Sequence, residues 1–129
     1  MKGIVITTSN ISLVKDFGDP LYQTAGKAVD GYIEIVHPMA LSKPYVMIVN
    51  DEGLLRGLPM NLTGSMLYGT PMHGSPIVGT IVIMKDGFRN GEPDIVGLDD
   101  DDIENLAKKL SLKLIDVNES NKEDGFSRE

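Results

Sequence analysis

The 129-residue chain has no cysteine and no tryptophan. Without cysteine, disulfide scaffolds, cysteine zinc sites and thiol catalysis are all excluded. Aromatic residues make up only 5% of the chain, as three Phe and four Tyr, too few for a stacking platform for single-stranded nucleic acid. Bases are scarce as well: twelve Lys and Arg face nineteen Asp and Glu, a net charge of −7. Direct nucleic-acid binding relies on clustered cations, so it is not expected. No apolar run approaches the ~20 residues of a membrane-spanning helix. The apolar run Ile4-Val5-Ile6 near the start is too short for the core of an export signal. The expectation is a cytoplasmic protein with no membrane partner.

What is there has the balance of a folded domain, with 41% hydrophobic and 24% charged residues. The length fits one domain, read as residues 1–115, followed by an acidic tail at 116–129 that is expected to be disordered. Charge is unevenly placed. Residues 1–91 hold seven acids and seven bases, whereas residues 92–104 hold seven acids and no base.

β-branched and apolar runs predict strands at Gly3–Thr8, Gly31–His37, Tyr45–Asn50 and Gly79–Met84. In the second of these, Ile33 and Ile35 share one face. Asp19-Pro20 reads as a helix opening, with Asp19 as cap, for a helix to about Val29. Asn50-Asp51-Glu52-Gly53 reads as a tight turn from which Leu54-Leu55-Arg56 returns as a hairpin. Asn61 caps a helix through Tyr68, with Leu62, Met66 and Leu67 as its apolar side. Residues 69–79 read as a loop, 85–93 as a turn-rich excursion, and Ile95-Val96-Gly97 as a short returning strand. Asp99 caps the last helix, on which Ile103, Leu106, Ala107 and Leu110 recur at helical spacing. This irregular order predicts an α+β fold, a small antiparallel or mixed sheet packed by two or three helices.

Four stretches between Gly31 and Leu106 carry a family pattern. They are Gly31-Tyr32-Ile33-Glu34-Ile35-Val36, the turn Asn50–Gly53 followed by Gly57-Leu58-Pro59 and Asn61, Ile77–Ile83, and Leu98–Ile103. The pattern resembles the family of domain of unknown function 3846, small proteins frequent in phages, plasmids and other mobile elements. The resemblance implies no catalytic residues. It does imply company in which small proteins act against host defence, by imitating DNA, by gripping a defence protein, or by sequestering a nucleotide signal.

Three groups of residues could bind something. Around the helix start at Asn61, Arg56 and Gly57 supply a cation and backbone access, and Thr63, Ser65, Tyr68 and Thr70 supply hydroxyls, a set that suits a phosphate or nucleotide. The same residues also suffice as a cap and a turn. In the loop Thr70–Pro76, stiffened by two prolines, His73 is a donor or base for that ligand, or is simply solvated. The acidic run Asp99, Asp100, Asp101, Asp102 and Glu104 could present carboxylates to a basic protein surface, or only satisfy the helix dipole. The two His lack acids at ligand spacing, so no metal or other cofactor is expected. The leading expectation is therefore a non-catalytic binding protein, a homo-oligomer that sequesters a nucleotide-type small molecule in a bacterial host. An acidic inhibitor of a host defence protein and a small nucleotide-processing enzyme are the alternatives.

Overall fold

A computed structural model describes residues 1–116 of the chain. The two apolar runs at its centre become neighbouring strands because both of their faces are covered. Val46, Met47 and Ile48 on one, and Ile81 to Met84 on the other, are fully buried. The elements in chain order are β1 (Lys2–Ile6), β2 (Ser12–Asp16), α1 (Leu21–Val29), β3 (Ile33–Val36), β4 (Tyr45–Asn50), α2 (Leu62–Tyr68), α3 (Thr70–His73), β5 (Ile81–Arg89), β6 (Glu92–Val96), α4 (Asp100–Leu110) and β7 (Leu114–Asp116). They form the expected α+β architecture, with one mixed sheet of seven strands in the order β3-β4-β5-β1-β2-β7 and β6 paired to β5. All pairings are antiparallel except β2 with β7.

Strand alternation sorts the core into two layers. Val5, Val46, Ile48, Val82 and Met84 face α1 and pack with Phe17, Ala25 and Val29. Ile4, Ile6, Met47, Val49, Ile81 and Ile83 face the other way, toward Leu67 of α2 and Leu106 of α4.

Several expectations are corrected by tertiary pairing. The hairpin at Leu54-Leu55-Arg56 does not form, because both edges of β4 are already taken by β3 and β5. The segment coils instead, with Arg56 N–H donating to the Glu52 carbonyl (2.9 Å) and Leu58 N–H to that of Gly53 (3.0 Å). The excursion at 85–93 is in fact the outer half of β5 and the start of β6. These strands turn at Asn90-Gly91, both at positive φ (53° and 80°) as a tight hairpin demands. Asp19 does not cap α1; Pro20 holds that position, and the Asp19 carboxylate grips Arg89 through two bonds of 2.9 and 3.0 Å. The loop at 69–79 contains the single turn α3, and β7 adds an unforeseen strand. Apart from Asp116, at the end of β7, the expected tail lies outside the described residues.

Helix α2 shows how one polar side chain overrides an apolar pattern. Asn61 is fully buried. Its Nδ2 donates to the carbonyls of Ile6 (3.0 Å) and Gly79 (2.9 Å), and its Oδ1 accepts from Gly64 N–H (2.8 Å). One turn on, Ser65 Oγ donates to the Ile77 carbonyl (3.1 Å) and accepts from Ile77 N–H (2.9 Å). These tethers roll Gly64, Ser65 and Leu67 inward and leave Leu62 and Met66 exposed, although both were expected to be apolar anchors. Asn61→Ala would strand one donor and two acceptors away from water. The expected loss is about 3 kcal/mol of stability, read as a lower urea midpoint at unchanged slope.

Candidate functional site

The residues proposed from sequence for a ligand are dispersed. Arg56 turns toward the end of α1, donating to the Asp30 carbonyl and, at 2.9 Å, to the Asp30 carboxylate. Gly57 is an exposed turn residue at φ 68° with open space around it. Asn61 is enclosed as described. Thr63 reaches Asn10 on another loop (3.4 Å), and Thr70 donates to the Ser75 carbonyl (2.8 Å). Tyr68 lines a cleft with Ser75, and His73 closes α3 with a side chain that lies outside the described part of the structure. Of these, Tyr68 borders one cleft, and Arg56 stands beside another through Asp30.

Three clefts among the described residues border β3. The largest of the three, about 630 Å³, lies between α1 and the entry to β3 and is lined by Tyr22, Gln23, Gly26, Lys27, Asp30, Gly31, Tyr32 and Ile33. Local structure explains the hollow. Helix α1 ends at Asp30 in the left-handed region (φ 65°), and Asn50 Nδ2 pins the carbonyls of Val29 (2.9 Å) and Asp30 (3.0 Å) to the end of β4. A side chain at Gly31 would begin 2.7 Å from that Nδ2, and one at Gly26 would begin 3.0 Å from the Gly31 carbonyl. The two glycines let helix and strand approach closely, which leaves the larger neighbours standing clear as walls. Tyr22 is 64% and Tyr32 77% exposed, in a chain with only four tyrosines.

The second cleft, about 460 Å³, lies between the 51–55 turn and residues 75–78. Its floor is Val36, Val49 and Ile77, and its titratable lining residues are Glu34, Asp51 and Tyr68, with no base. The third, about 410 Å³, has Leu21, Ile33, Ile35 and Ile95 below a rim of Asp19, Asp94 and Arg89. Only the first has a cation left over, because Arg56 and Asp30 neutralise each other while Lys27 has no ion-pair partner among the described residues.

The sequence profile of the domain of unknown function DUF3846 matches residues 1–111. The chain belongs to that family. The match extends past the stretch from Gly31 to Leu106 that carried the resemblance, and takes in all three clefts. No curated protein and no solved structure matches the chain. Among the described residues of this DUF3846 domain, no three acids or histidines are grouped to hold a metal ion. None of its helices there is long and apolar enough to cross a membrane.

The acidic run of the DUF3846 domain divides into inward and outward groups. Asp99 caps α4 by accepting from Asp102 N–H (2.8 Å), and Asp102 returns the bond from Asp99 N–H (2.9 Å). Asp102 also turns toward the sheet, where it accepts from Lys85 Nζ (2.6 Å) and Tyr45 Oη (2.7 Å), residues directly opposite each other on β5 and β4. Asp99 and Asp102 are therefore bound into the architecture. Asp100, Asp101 and Glu104 remain outside, with Asp100 near Lys2 (3.5 Å) and Glu104 near Lys108 (3.5 Å). Burial pushes the Asp102 carboxyl up, but the bonds from Lys85, the Asp99 backbone and Tyr45 outweigh it and hold the group at about 2. Burial and the adjacent Asp102 carboxylate push Tyr45 up to about 12.

A depressed carboxyl stabilises the fold at pH above its ordinary value of 3.8, and that contribution fades as pH falls toward about 2. We expect about 2 kcal/mol of stability to disappear across this window. In Asp102→Asn the corresponding fall should be absent. Urea midpoints followed from neutral pH down to about pH 2 would show it; parallel curves for the two proteins would refute it.

Proposed function

We propose that this protein acts by binding, and that its ligand is a nucleotide-type small molecule held in the α1–β3 cleft. The observation that carries the reading is the pair of exposed tyrosines, Tyr22 and Tyr32, beside Lys27, which has no ion-pair partner among the described residues, in the same hollow. Two ring faces suit a planar base, and an ammonium suits the anionic end of the same molecule. Gln23 offers both a donor and an acceptor for polar edges. The cleft volume, about 630 Å³, falls within the range of small-molecule sites.

Electrostatics favours this hollow over the second cleft, where a phosphate would meet Glu34 and Asp51. The residue set has moved from the Asn61 turn, while the ligand class remains the one expected from sequence. With the mobile-element company that the family resemblance implies, the role we propose is sequestration of a nucleotide-derived host defence signal. The competing reading, an acidic face for a defence protein, has less to work with, since Asp99 and Asp102 are engaged in holding α4.

Calorimetric titration with mono-, di- and cyclic nucleotides, paired with native mass spectrometry, tests the proposal. At least one nucleotide should bind as a discrete adduct. Lys27→Ala should weaken it about tenfold, the scale of one lost charge-assisted bond. The double variant Tyr22→Ala/Tyr32→Ala should abolish uptake while its thermal melt stays native, since both rings are exposed. Undiminished affinity in the double variant, or no adduct with any nucleotide, refutes it.

A further inference from the structure

We propose that the free edge of β3 is a docking surface for an extended peptide in which basic and apolar residues alternate. Strand β3 ends the sheet order, and no described strand pairs with its outer edge. Asp51 N–H donates to the Tyr32 carbonyl (2.8 Å), which sets the rungs toward β4 at Tyr32, Glu34 and Val36. The N–H and C=O groups of Ile33 and Ile35 therefore point outward, and neither residue makes another backbone bond among the described residues. This is the donor and acceptor row that strand addition uses.

The flanks of the strand specify the partner's side chains. On the α1 side, Ile33 and Ile35 border the third cleft together with Leu21 and Ile95, an apolar seat for every second residue of an added strand. On the opposite side Glu34 and Asp51 border the second cleft, and neither carboxylate has an ion-pair partner among the described residues. The residues between the apolar ones are therefore lysine or arginine. Glu34 also works against a second copy of this chain as occupant. A two-fold axis centred on it, pairing Tyr32–Val36 of both copies, would set two Glu34 carboxylates directly opposite each other.

This surface goes beyond the small-molecule reading and is separable from it, although the two share the Tyr22 and Ile33 margin. The probe is a short synthetic peptide of alternating lysine and valine, added to isotope-labelled full-length protein while amide exchange is followed by NMR. The peptide should bind and slow exchange at Ile33 and Ile35 at least about tenfold, the signature of newly made rungs. Glu34→Lys should weaken it about tenfold, and a glutamate–valine peptide should bind no better than that variant. A lysine–valine peptide N-methylated on its bonding face should not bind. Lys27→Ala, which removes the nucleotide contact, should leave peptide affinity unchanged. Four results would overturn the proposal: no binding, binding without protection of the two amides, equal binding of acidic and basic peptides, or protection that grows with protein concentration alone.

Discussion

Strand β5 has more edge than one neighbour can cover, and the rest of the sheet is arranged around that constraint. Along one edge it pairs with β4; along the other, Ile81–Ile83 pair with β1 and Lys85–Arg89 with β6. Leu98 N–H donates to the Lys2 carbonyl (2.8 Å), tying the end of β6 to the start of β1. With β4 held between β3 and β5, the described sheet ends at β3 on that side. The clefts on both flanks of β3 follow, because α1 and the turn after β4 pack near a strand that has no described neighbour beyond it.

The two faces of the sheet hold their helices by different means. Helix α1 is held largely by apolar contact, with Ala25 and Val29 against Val46, Ile48 and Val82, and its end is tied by Asn50 and Arg56. The opposite face adds two polar anchors, the buried Asn61 below α2 and the part-buried Asp102 below α4. Hydrogen bonding in a low-dielectric interior is directional, so each anchor fixes a helix rotation that apolar contact alone would leave loose. No described buried side-chain polar atom lacks a partner, so these anchors hold their helices without leaving an uncompensated group in the core.

Much of the fold was legible along the chain. Tyr45–Asn50 was read to its ends because a strand buried on both faces is a continuous apolar run. Asn61 and Asp99 were legible as caps because capping is a contact within one helical turn. The hairpin after Gly53 was misread because the competition for the edge of β4 comes from β5, far along the chain. The residues named for a ligand are dispersed for a related reason: Arg56, Asn61 and Thr63 are close in sequence, yet each faces a different neighbour. Tyr22, Lys27 and Tyr32 gave one faint signal, Gly26 inside a helix, which sequence alone shows as a weak point and not as a point of close approach.

By itself, the sequence determined what depends on composition and local pattern: a cysteine-free, acidic α+β domain, its central strands, the caps Asn61 and Asp99, and its family. Tertiary structure decided which edges were occupied, how α2 was rolled, and where Arg56 and Asp102 spent their charge. These outcomes depend on hydrogen-bond partners and burial supplied by residues far apart in the chain. For that reason the clefts around β3, and the tyrosines that stand over the largest of them, became visible only once the chain was folded.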